Sequence, residues 1–357
     1  MKAAAALVLL LPLAACTRER HLIEFGWDEP DPAFLRRHIA QMEGTPFDGC
    51  VFHVDYRTPA GASGNLTWKA WGARAFERRD IEAAIADLRA TERKRFTHLF
   101  VRANVTPGTV DWFDDFTPVV GNLRLLAEVA REGRCRGLLL DTEPYEGQLF
   151  DHKRQPHAAE HTWDEYAAQA RRRGAEVMRG LQQGFPDLEV MLTYGYTLPW
   201  QESARGKRPL SEGRFGLLAP FLDGMVEAAD GARLIDGYEA SYGYKDPRQF
   251  SAAYDVIRRG VVPIVADPER YRRVTSVGFG LWMDYQWRTH GWSEVAYDQN
   301  YFSPDAFERS LKGAWATTND YVWVYTEQPR WWTAEGGSAH LPAAYASALR
   351  RVKDSAR

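Results

Sequence analysis

The sequence predicts an α/β protein folded as a single (β/α)8 barrel with long loops after its strands. Three observations carry that prediction. Eight apolar, β-branched or aromatic runs alternate with helical patterns along the chain, the order expected when each strand is followed by a helix. Several runs are apolar at consecutive positions, as they are when helices cover both faces of a parallel sheet. No Gly-rich loop follows the first run, which argues against an open dinucleotide-binding sheet. A length of 357 residues with 45% hydrophobic and 26% charged side chains suits one such barrel.

The barrel is expected over residues 22–357, because the N-terminus reads differently. Met1-Lys2 precedes an apolar run over 3–15, too short to span a bilayer and of the length of a signal-peptide core. Its end, Leu13-Ala14-Ala15-Cys16, resembles the lipobox of bacterial lipoproteins. That resemblance implies a signal peptide over 1–15, a lipid on the Cys16 sulfur, a tether over 16–21 and a place in the bacterial cell envelope outside the cytoplasm. The alternative is a secreted protein whose Cys16 merely lies near a cleavage site. Cys50 and Cys135 each stand beside a strand and read as buried free thiols rather than a disulfide.

In chain order, strands are expected at 22–26, 50–54, 98–103, 137–140, 189–193, 234–239, 276–283 and 321–325. Helices are expected at 31–41, 79–91, 119–131, 163–182, 214–229, 247–259 and 304–315, with a last one at 342–353. The fourth strand is the plainest case: Gly137-Leu-Leu-Leu140 runs straight into Asp141-Thr142-Glu143 and a proline, a core strand ending at a working surface. Long βα loops at 55–79, 145–162 and 200–213 fall on the face where barrels build their sites.

The strand ends are acidic and aromatic. The first ends at Trp27-Asp28-Glu29, the second at His53-Val54-Asp55. The sixth closes on Tyr238-Glu239, the seventh on Trp282-Met283-Asp284, and the eighth on Tyr325-Thr326-Glu327. Alternation along a strand puts Asp141 and Glu143 on one side, with Asp141 the more buried. A neighbouring carboxylate and partial burial both raise a carboxyl pKa, which suits Glu143 to general-acid work with Asp141 as its electrostatic neighbour. Glu239, Asp284 and Glu327 are equal candidates for the second carboxylate. For each acid the bland alternative is an N-cap or an ion pair closing a loop.

Paired carboxyls at barrel strand ends are the apparatus of glycoside hydrolysis. Asp141-Thr142-Glu143 resembles the fourth strand of barrel glycoside hydrolases, many of which carry their general acid there. It is similar in part to the chitinase-like families, whose fourth strand ends Asp-x-Asp-x-Glu; here Leu139 stands at the earlier Asp, and Tyr238-Glu239 replaces their Tyr-Asp. The large retaining clan has Asn before the fourth-strand Glu and a Glu on strand seven, where this chain has Thr142 and Asp284. The resemblance is to the class and implies an oligo- or polysaccharide substrate, with no cofactor and no metal.

The 13 Trp, within 13% aromatic content, fit such a substrate, because sugar C–H faces stack on aromatic planes. Trp27, Trp282, Trp287 and Trp332 are candidate subsite residues, and at least one of Trp331 and Trp332 is expected to be exposed. Tyr194 and Tyr238 supply hydroxyls, as do the runs Tyr194-Gly195-Tyr196 and Tyr242-Gly243-Tyr244 after the fifth and sixth strands, while His53, Asp55 and Arg102 are placed to orient substrate. Trp163 and Trp315 read as core. Two other classes stay open: a glycan-binding lipoprotein without activity, and a divalent-metal enzyme using Asp55, Asp141 and Glu143. His157-Ala-Ala-Glu160-His161 matches an inverted zinc-protease motif, but the capping box Thr162-Trp-Asp-Glu165 starts the helix after it, leaving it as a loop at the rim of the site. A net charge of −3 offers no basic field for nucleic acid.

Overall fold

The computed structural model describes residues 19–105, 110–143 and 145–355. Eight strands are used: β1 His21–Gly26, β2 Gly49–Phe52, β3 Phe100–Asn104, β4 Gly137–Asp141, β5 Glu189–Leu192, β6 Arg233–Asp236, β7 and β8 Tyr321–Thr326. β7 comes in two pieces, Thr275–Val277 and Phe279–Trp282, so the sheet holds nine strands by strict count. Its first piece pairs with β6 and its second with β8. β8 pairs with β1 over six residue pairs from His21↔Tyr321 to Gly26↔Thr326, and every pairing around the ring is parallel. The sheet is therefore the closed barrel the alternation predicts. The expected seventh strand, 276–283, is interrupted at Gly278, whose N–H donates to the carbonyl of Asp236.

Each strand is followed by a principal helix: α1 Pro32–Met42, α2 Arg78–Ala90, α3 Thr117–Glu132, α4 Trp163–Gly184, α5 Leu218–Ala228, α6 Pro247–Asp255, α7 Pro304–Thr317 and α8 Ala343–Asp354. Starts are set by local chemistry. Asp31 caps α1 at the amide of Phe34 with Pro32 at its first position, and Thr162 with Glu165 forms the capping box expected before α4. The long loop after β2 holds a small antiparallel hairpin, Asp55–Arg57 with Ser63–Asn65.

Alternation divides the core in two. Ile23, Phe25, Val51, Phe100, Leu139, Met191, Ile235, Tyr321 and Trp323 fill the barrel interior, while residues between them in sequence, such as Leu22, Leu138 and Val322, pack outward under the helices. Cys50 and Cys135 are buried free thiols, as expected. Trp315 belongs to the core, and Trp163 lies half-buried against the outer core cluster. Trp331 and Trp332 are both buried, at 4% and 3% exposure, so the expected exposed member of the pair is absent. The reason is local: the Asp28 carboxylate accepts both their amides, at 2.6 and 3.2 Å, and the Trp332 indole donates to the Asp28 carbonyl at 2.6 Å.

Candidate active site

The interior rows of side chains continue upward past the strand ends, and that continuation is the site. Leu139 leads to Asp141 and Glu143, and Phe100 leads to Arg102. Ile23 and Phe25 lead to Trp27, Met191 to Thr193, Ile235 to Glu239, and Tyr321 and Trp323 to Tyr325 and Glu327. All the mouth residues in these rows, with Tyr145, Tyr242, Trp282 and Arg288, line one cavity of about 360 Å³ at the C-terminal end of the barrel. Its floor is aromatic, because Tyr242 stacks on Tyr325 at 5.6 Å and meets Trp323 at 5.2 Å.

Asp141 is fully engaged. It is 1% exposed. It accepts from Arg102 Nη2 at 2.8 Å, the Tyr145 hydroxyl at 2.9 Å, the Glu143 amide at 3.0 Å and the Thr193 hydroxyl at 3.2 Å. Burial opposes the charge on Arg102, and Asp141 and Glu29 outweigh it; Glu29 lies 2.9 Å from Nη1. Asp141 is thus a fixed acceptor whose bond to the next-but-one amide orients Glu143.

Glu143 is half-buried. Burial raises its carboxyl above the ordinary range, the Tyr145 hydroxyl opposes that rise, and the charges of Asp141 and Glu327 add to it against Arg102. Glu239 is raised well above the ordinary range, first by burial and then by the charges of Glu143 and Asp141. It does not end a strand as expected: β6 stops at Asp236 and Glu239 opens a short 3-10 turn, Glu239–Ser241. The cause is Tyr238, whose backbone is left-handed at φ 44 and ψ 66. That turn aims Glu239 inward, with its amide donating to the Thr193 carbonyl at 3.0 Å. Tyr194 and Tyr242 stand against its carboxyl.

The other two candidates are occupied. Glu327 accepts from the Trp287 indole and from Arg288, each at 2.6 Å. Asp284 accepts from the amides of Glu327 and Gln328 and from the Trp282 indole. It lies outside the cavity lining; burial lifts it to about 6 against those amide bonds. It holds the loop after β8. The Tyr238 hydroxyl bonds Tyr244 at 3.1 Å and is buried away from the cavity. Trp287 meets the edge of Trp27 with ring centroids 6.5 Å apart.

His53 and Trp332 line a second cavity of about 440 Å³ beside the first, and Trp27 belongs to both. His53 Nε2 is 3.9 Å from Asp55, and its Nδ1 is 3.7 Å from Glu29. Asp55 is therefore separated from Asp141 by His53, Glu29 and Arg102, and the metal set of Asp55, Asp141 and Glu143 is not assembled. Among the described residues the group close enough to share a cation is Asp31, His53 and Asp55, where Asp31 also caps α1. His157 pairs with Glu160 at 3.3 Å and His161 stacks on Phe113 at 3.7 Å. These two histidines line neither cavity.

Tyr145, Thr193, Phe25 and Arg288 complete the lining without having been singled out as site residues, while Tyr242 stands where hydroxyl contacts are expected. Phe25 belongs to the interior row of β1 itself, and extending the row of β5 by one step past the strand finds Thr193. Tyr145 follows the Asp-Thr-Glu after one proline, and Tyr242 follows the turn at Glu239. Arg288 comes from a loop and carries no such signal.

No protein-family model and no curated protein matches this chain. Among solved structures, a 3-keto-D-glucoside 4-epimerase from E. coli is 14% identical with a TM-score of 0.42, covering 94% of this chain and 100% of its own. A GH5-4 broad-specificity endoglucanase from an uncultured bacterium is 8% identical with a TM-score of 0.45, over 92% of this chain and 86% of its own. An endocellulase from Pyrococcus horikoshii, solved with cellotetraose, is 9% identical with a TM-score of 0.41, over 93% and 91%. Likenesses at these levels concern the course of the backbone.

Proposed function

We propose that the protein is a glycoside hydrolase in which Glu143 gives the proton to the leaving oxygen and Glu239 is the second carboxylate. One observation carries the reading: two carboxyl groups, both raised above the ordinary range by burial and by like charge, share one aromatic-walled cavity at the mouth of the barrel. Burial and like charge favour the protonated form of both, and the pH behaviour belongs to the pair. Asp141 orients Glu143 and adds to its shift, Tyr242 and Tyr325 form the floor, and Trp27 and Trp282 offer surfaces for a sugar face. Asp284 and Glu327 are set aside because amides, indoles and Arg288 already occupy their oxygens.

The test is turnover and binding on a panel of oligosaccharides. Glu143→Gln and Glu239→Gln should each lower kcat by about 10²- to 10⁴-fold while binding persists. Glu143→Gln should lose least on aryl glycosides with good leaving groups, which need no proton. Binding by the wild type without cleavage would favour a glycan receptor, and EDTA-sensitive cleavage would favour a metal enzyme. Attachment through a lipid on Cys16, outside the cytoplasm, is part of the proposal and is supported by the lipobox-like sequence; Cys16 lies outside the described residues. Cys16→Ala should move the protein from the membrane fraction to the soluble one, and no change would remove the anchor.

A further inference from the structure

We infer that the substrate is a chain of neutral sugars long enough to occupy both cavities at once, with Trp27 as the wall they share. This rests on the hydrolase reading and names its substrate class. Two of the three exposed large hydrophobic side chains among the described residues, Trp27 at 54% and Tyr145 at 43%, border the carboxylate cavity. A large ring left in water beside a polar cavity is a surface awaiting an apolar face. Trp27 is also held in place: Arg288 and Arg330 lie over its ring at 5.7 and 5.5 Å, and Trp287 meets it edge-on at 6.5 Å. Rigid aromatic surface binds at low entropic cost. Beyond it the second cavity, about 440 Å³ to the first one's 360 Å³, is itself large enough for a ligand unit.

Charge selects among sugars. The first cavity sets Asp141, Glu143, Glu239 and Glu327 against Arg102 and Arg288. The second sets Asp28, Glu29 and Asp31 against Arg37 and Arg330, with His53 between. Carboxyl groups outnumber guanidiniums in both, so a uronate or sulfated unit would meet a net like charge, whereas hydroxyls can donate to the acids and accept from the guanidiniums. Arg102 ties the two spaces together, holding Asp141 with Nη2 at 2.8 Å and Glu29 with Nη1 at 2.9 Å. A sugar seated at Glu29 therefore acts one residue away from the acceptor that orients Glu143. Remote binding of this kind shows in kcat as well as in KM.

The experiment measures kcat and KM for the wild type, and binding by Glu143→Gln, on gluco-, xylo-, manno- and N-acetylglucosamine oligosaccharides from disaccharide to hexasaccharide, with oligogalacturonates as the anionic series. In an accepted neutral series kcat/KM should rise about tenfold or more at one added unit and then level off. The step should shrink in Trp27→Ala, and also in Ala334→Trp, which fills the second cavity from an exposed position. Cleavage with no dependence on length, or a step that both variants keep, overturns the inference and leaves the hydrolase reading standing. A preference for oligogalacturonates overturns the neutral class. Length-dependent binding lost in Trp27→Ala, without cleavage by the wild type, keeps the two-cavity surface and overturns the hydrolase. Silence in both assays overturns both.

Discussion

The two ends of the barrel use the same residue types for opposite purposes. At the N-terminal end acids and cations are matched: Asp320 lies 2.7 Å from Arg233, Asp48 lies 2.5 Å from Lys353, and Glu189, which accepts from the Tyr321 hydroxyl at 2.5 Å, faces Arg136 and lies 3.9 Å from Arg233. His21 and His98 stack there at 3.6 Å, and burial lowers both, His98 to about 2, so the pair stays uncharged. At the mouth four carboxyl groups share two guanidiniums, and Glu143 and Glu239 are pushed upward. An acid with its own cation fixes structure; an acid in excess can carry a proton. The difference is one of stoichiometry rather than residue type.

The comparison is broken most severely by removing the mouth's shared cation. Arg102→Met leaves Asp141, 1% exposed, and Glu29 without their guanidinium. It should cost about 3–5 kcal/mol of stability, read as a lower midpoint in urea; a loss below about 1 kcal/mol would show that hydroxyls and amides suffice to hold Asp141. The next effect sharpens the contrast through pH. On the proposed reading Glu143 must be protonated to act, so activity should fall as pH rises through its raised value. Asp141→Asn removes a negative neighbour and leaves Arg102 less neutralised, so that descending limb should move to lower pH by about one unit. Glu327→Gln should move it the same way by less, because Glu327 is the weaker of the two influences on Glu143. Glu189→Gln, at the far end, should leave the limb in place, and a shift there as large as that of Asp141→Asn would erase the distinction between the ends. The smallest effect is Arg233→Met. Its side chain is 26% exposed, so about 1 kcal/mol of stability should be lost with the pH profile unchanged.

The barrel was legible because alternation and strand–helix order are set by burial, which each residue reports for itself. The place of Asp141 and Glu143 in the cavity was legible for a related reason, since they extend an interior row by two and four residues, whereas Glu239 reaches the same cavity through the left-handed turn at Tyr238. What distinguishes Glu239 from Asp284 and Glu327 was not legible. All three follow apolar strands beside aromatics, yet Asp284 is used up by amides 43 and 44 positions away, and Glu327 by an indole and a guanidinium from another loop. Such partners depend on where loops fold, which no local pattern encodes. Trp332 failed as an exposed platform for the same reason, its partner Asp28 lying 304 residues away.

The pairing of β8 with β1 carries one more consequence. His21 enters the barrel at the end remote from the cavities, with its amide on the Asp320 carbonyl. The last turn of α8 is fastened to that same end by Lys353, which also donates to the Pro46 carbonyl at 2.8 Å. Whatever holds the molecule by residues near 19 or near 355, whether a bead, a fused partner or a bilayer, grips it by its base. The mouth then opens away from the support.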